Sequence, residues 1–81
     1  MAPTEAPRET DLPAMLANYK SAVENWIETI RTEEALASVH PTLAKVDRWE
    51  HAHFAEEKAR DKAKLAKKEY EAAIRLLYFN F

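Results

Sequence analysis

Not one of the 81 residues is glycine, and no proline follows Pro41. Glycine enters left-handed backbone conformations without steric cost. A chain lacking it has no ready means of making tight hairpin turns, phosphate-cradling loops or glycine-capped helix ends. Dinucleotide-binding and P-loop fingerprints are excluded at once. β-Structure is disfavoured, and the predicted fold class is all-α. The stretch from Pro41 to Phe81 holds no helix breaker after its opening proline and reads as one long helix, over about 42–79.

A chain of this length is one domain at most and close to the limit at which a single core suffices. Cysteine is absent, so disulfides, thiolate metal sites and thiol catalysis are excluded. Self-association is the remaining way to gain a core. Twelve basic residues against fourteen acidic give a formal charge of −2 with the signs interspersed, which offers no footprint for nucleic acid. No apolar run approaches the length of a membrane span, and the first residues lack the basic and apolar regions of a secretory signal. A cytoplasmic, non-membrane protein is expected.

Residues 1–10 contain two prolines and no apolar period, and read as a disordered arm. Asp11 is placed as a helix N-cap, with Leu12 and Pro13 in the first turn. Leu12, Leu16, Tyr19, Val23, Trp26 and Ile30 recur at steps of four and three, widened by Met15, Ala22 and Ile27. The spacing predicts an amphipathic helix over about 12–38. Residues 39–41 are the turn, because Pro41 bars His40 from the helical region and suits a helix start, with Thr42 or His40 at the boundary. So short a connection implies antiparallel neighbours, with residue 50 level with about 28 and residue 53 with about 25.

The second helix carries a repeat of eleven residues in which Leu43, Phe54, Leu65 and Leu76 coincide, as do Ala44, Ala55 and Ala66. Eleven residues over three turns favours a straight or slightly right-handed arrangement. An alanine stripe that includes Ala52, Ala55, Ala59, Ala63, Ala66 and Ala73, continued by Tyr70, Ile74 and Leu77, would let a facing helix approach closely and accept side chains such as Leu16, Tyr19 and Trp26. At about 1.5 Å per residue the first helix reaches about 40 Å and the second about 57 Å, so the C-terminal end is expected to overhang. Tyr70, Ile74, Leu77, Tyr78, Phe79 and Phe81 are the candidate interface, to be covered by another chain. A two-fold dimer of hairpins forming a four-helix bundle is the simplest closed solution. A second reading of the last residues is a tail docked by another protein.

Glu50 and His53 form a Glu-x-x-His step, one turn apart on one face. With the register above, Glu28 and Glu24 lie opposite them as further metal ligands. In this motif and architecture the chain resembles ferritin-like di-metal carboxylate proteins, some of which are hairpins that dimerise to complete the site. The resemblance implies iron or manganese at a subunit interface; it covers one four-residue motif. The alternative for the same residues is that Glu50, Glu57 and His51 face water while His53 packs beside Trp49 and Phe54 with one nitrogen satisfied. Trp26 and Trp49 are read as core, and the basic run from Lys58 to Lys68 as a solvated face interleaved with acids. No serine, histidine and acid can be placed together without inventing geometry. The function expected is therefore a non-enzymatic, self-associating helical hairpin, a structural or protein-interaction module, with ferritin-like metal binding as the alternative.

Overall fold

The computed structural model describes residues 8–37, 40 and 42–79. Two helices pack against one another as a hairpin, and no strand occurs among the described residues. Helix α1 is Leu12–Leu36, 25 residues, and helix α2 is Leu43–Ile74, 32 residues. A 3-10 turn, Glu9–Asp11, leads into α1, and a wider π-helical turn, Arg75–Phe79, continues α2. Three positions of the expected arm, residues 8–10, therefore lie within the described part, while residues 1–7 lie outside it. Ser38, Val39 and Pro41, which hold most of the expected turn, also lie outside, as does Phe81.

The helix ends follow from local chemistry. Asp11 occupies the N-cap position of α1, but its carboxylate accepts from the Arg8 backbone N–H at 3.0 Å and so closes the 3-10 turn instead of capping α1. Pro13 fills the first turn of α1, where a missing amide donor costs nothing. Thr42 is the N-cap of α2: its hydroxyl accepts from the Lys45 amide at 3.2 Å. Without glycine, α1 ends by turning Ala37 into extended backbone, φ −66° and ψ 138°. No distortion interrupts α1 at Thr32, whose hydroxyl donates to the Glu28 carbonyl at 3.0 Å.

Three contacts set the register. Glu33 meets His53, Tyr19 meets Tyr70, and Glu9 meets Tyr78. The helices are thus antiparallel, but residue 53 lies level with 33 where the short turn placed it near 25. This slide of about two helical turns, roughly 12 Å, reverses the expected overhang. The C-terminal end of α2 lies alongside the start of α1, and the start of α2 projects past the end of α1. Residues 43–51 are all exposed, Leu43 to 88 %. The connection from 37 to 42 leaves and arrives in extended conformation, at Ala37 and Thr42.

Burial repeats every seven residues, not eleven. On α2 the buried positions are Ala52, Ala59, Ala63, Ala66 and Ala73, with Glu56, Tyr70 and Leu77 half-buried at the intervening heptad places. On α1 the matching series is Leu12, Met15, Tyr19, Ala22, Trp26, Thr29, Glu33 and Leu36, each half-buried. Steps of three and four on both helices are the pattern of a left-handed, coiled-coil-like pair. Extending the Tyr19–Tyr70 pairing along both series sets Trp26 level with Ala63 and Met15 level with Ala73. Large side chains of α1 thus lie over small ones of α2. The eleven-residue repeat marks the outside of α2, where Leu43, Phe54, Leu65 and Leu76 are 53–88 % exposed.

Candidate functional site

His53 is the most connected polar side chain of the hairpin. Its Nδ1 lies 3.5 Å from Glu33 Oε1 across the helix pair, and its Nε2 lies 3.3 Å from Glu57 Oε1, one turn along α2. The Trp49 ring stacks against the imidazole, with centroids 6.5 Å apart and planes at 23°, and Phe54 sits 6.1 Å away at a tilt. The packing beside Trp49 and Phe54 expected for His53 is thus present, and the imidazole also links the two helices. Pairs this exposed contribute about 0.2–1 kcal/mol each. Glu33 escaped the sequence reading, although its place in the series Leu12, Tyr19, Trp26, Glu33 already set it on the inner face.

The remaining candidate ligands lie elsewhere. Glu24 and Glu28 are exposed on α1, beside an open hollow of about 520 Å³ lined also by Ser21, Asn25, Ile27 and Arg31. Glu50 is exposed on the projecting start of α2. Among the described residues no three His, Asp or Glu side chains are gathered as a metal ion requires. The slide in register is the cause: Glu33 occupies the level at which Glu24 was expected. His51 turns to its own helix, its Nδ1 lying 2.9 Å from the Asp47 carbonyl.

A second open hollow, of about 460 Å³, lies where the end of α1 meets α2, lined by Ile30, Glu33, Glu34, Ala37, Trp49 and Glu56. Glu56 holds Arg60 at 3.0 Å. This lining combines carboxylates with apolar side chains.

No protein-family model, curated protein or solved structure matches the chain. The site must therefore be read from its own surfaces.

At the other end, the C-terminal candidates divide. Tyr70 packs on Tyr19, with ring centroids 6.3 Å apart, and Tyr70, Ile74 and Leu77 are half-buried. The Tyr78 hydroxyl donates to Glu9 Oε1 at 3.0 Å, a pairing across nearly the whole chain, while the rest of Tyr78 and Phe79 is exposed. That bond to a carboxylate raises the Tyr78 pKa above its usual 10.0, because ionising the phenol would destroy the donor. The start of α1 and the turn before it thus cover part of what was expected to await another chain.

Among the described residues, the exposed large apolar side chains other than Tyr78 and Phe79 lie on three surfaces. Leu43, Phe54, Leu65 and Leu76 run along the outside of α2, at intervals of about 16 Å. Val46 and Trp49 sit on its projecting start, 41 % and 43 % exposed, and Ile27 and Ile30 lie on the flank of α1, 40 % and 39 % exposed. Among the described residues one polar side-chain atom is shut in without a partner, the indole nitrogen of Trp26. Such a donor costs about 1–3 kcal/mol while it stays unpaired.

Proposed function

We propose that this chain is a self-associating helical hairpin, a non-catalytic structural or interaction module whose two-helix unit is completed by a second copy as a four-helix bundle. The observation that carries this reading is the poverty of the core. Among the described residues every buried one is an alanine, no large side chain falls below 2 % exposure, and ten large hydrophobic side chains remain exposed. Two helices present only one shared seam, so large side chains outside it have nothing of their own chain to pack on.

The dimensions support the same reading. The chain exposes 6674 Å², against about 5,000 Å² for a compact monomer of its mass. Its radius of gyration is 17.7 Å, against about 12 Å for a globule of its length. A standard interface takes about 800 Å² from each partner, well within that surplus. No helix among the described residues is long and apolar enough to cross a membrane.

Sedimentation equilibrium across the micromolar range tests the proposal. The expected outcome is a reversible dimer whose helicity rises with concentration. A monomer at every concentration, with full helicity and a cooperative thermal transition, contradicts it.

A further inference from the structure

Helix α1 carries a second apolar stripe beside the series that packs on α2, half-buried at Leu16 and Val23 and exposed at Ile27 and Ile30. Leu16, Val23, Ile27 and Ile30 follow one another at heptad steps of seven, four and three. They form a stripe turned roughly a quarter-turn from the series that packs on α2. At the turn end the stripe continues onto α2, because Ile30, Ala37 and Trp49 line the same hollow. Two seams a quarter-turn apart are what a helix needs in order to touch two neighbours of a bundle at once.

We infer that this seam receives the same seam of a second copy, with the two α1 helices antiparallel and Ile27 close to the two-fold axis. The inference rests on the self-association proposed above and adds the face, the direction and the register. Charge chooses them. Outside the series that packs on α2, α1 carries two bases, Lys20 and Arg31, among Glu24, Glu28 and Glu34. An antiparallel pairing centred on Ile27 brings Lys20 level with Glu34 of the second copy and Arg31 level with Glu24 of the second copy. Two-fold symmetry doubles each pair. A parallel pairing sets every residue against its own copy and opposes like charges throughout. The outer ladder of α2 has no comparable continuity: its large side chains stand about 16 Å apart, separated by charged residues, as scattered surface apolar groups do.

The test separates this inference from the proposal it rests on. Ile27→Asp and Leu65→Asp are compared with the unmodified chain by sedimentation equilibrium, with circular dichroism confirming that each stays helical. Ile27→Asp is expected to weaken the dimer by about tenfold or more, since it sets two carboxylates together in an apolar seam, and Leu65→Asp to leave it unchanged. Lys20→Glu is expected to weaken the dimer several-fold, and Lys20→Glu with Glu34→Lys to recover it. Within one chain these two positions lie about 21 Å apart along α1, so recovery reports a contact between copies. Because the chain has no cysteine, Ile27→Cys offers a single thiol for a short bis-maleimide cross-link, expected to form at position 27 and not with Leu65→Cys. A dimer insensitive to Ile27→Asp, dissociated by Leu65→Asp, or left weak by the double charge exchange overturns this seam while leaving self-association standing. An unmodified chain that is monomeric throughout overturns both.

Discussion

Replacing Ala63 by leucine tests the heptad seam directly. Ala63 is 3 % exposed and lies level with Trp26, whose indole nitrogen is already enclosed. Three added carbons have no space there: either the helices separate or Trp26 leaves its position. Overpacking of this kind costs about 1–3 kcal/mol. In a domain of this size each kcal/mol lowers the melting temperature by about 4–8 °C, so a fall on the order of 10 °C is expected. Ala55→Leu is the control. Ala55 is exposed and borders an open hollow of about 180 Å³ shared with Glu28, Thr29, Thr32 and Ala52, which has room for the new side chain. Its effect should stay within about 0.5 kcal/mol. Thermal melts followed by far-ultraviolet circular dichroism at equal low concentration give both values. The eleven-residue repeat groups Ala55 with Ala44 and Ala66 and makes no such distinction, so equal losses at positions 55 and 63, or a larger loss at 55, refute the seven-residue seam.

Other outcomes follow from single contacts. Tyr78, with its pKa raised by the Glu9 carboxylate, should ionise above the ordinary tyrosine value. The hydrogen bond is intact below the ordinary tyrosine pKa of 10.0 and is lost as pH rises through the higher folded value; spectrophotometric titration of Tyr78→Phe should lack that step. Thr42→Ala removes the cap of α2 and should cost about 0.5–2 kcal/mol, with Thr42→Ser close to neutral, both read from denaturant melts. A double-mutant cycle between Tyr19→Ala and Tyr70→Ala should give a coupling of about 0.5–1.5 kcal/mol, and zero coupling would contradict the register. Adding iron(II) or manganese(II) should leave the melting temperature of the unmodified chain and of His53→Ala unchanged, and a stabilisation lost on His53→Ala would revive the ferritin-like reading.

The helices themselves were legible in the sequence, each for a local reason. The lack of glycine, the position of Pro13, the hydroxyl of Thr42 and the three-and-four spacing of Leu12, Tyr19, Trp26 and their neighbours act within a few residues of chain. Such signals survive without any knowledge of the partner helix. The alanine stripe was likewise visible, because a face of small side chains on a charged helix has few uses other than close approach. The site fared worse. Glu50 and His53 share a helix face by spacing alone, but the acid that meets His53 across the pair is Glu33, and that choice depends on where the two helices stop sliding.

Registration is what a one-dimensional pattern leaves open. A heptad seam looks the same after a shift of one repeat, about 10 Å, and similar large-over-small layers result. Which shift is adopted depends on a few specific pairs, Glu33 with His53, Tyr19 with Tyr70 and Glu9 with Tyr78, and on a connection that runs extended at Ala37 and Thr42 where a tight turn was expected. The sequence by itself determined two amphipathic helices, the Thr42 cap of the second and the small-residue face on which they meet. Only the tertiary structure decided which end projects, which acid reaches the histidine and which of two competing periods is buried, because those outcomes compare the energies of whole alignments and no single segment contains that comparison.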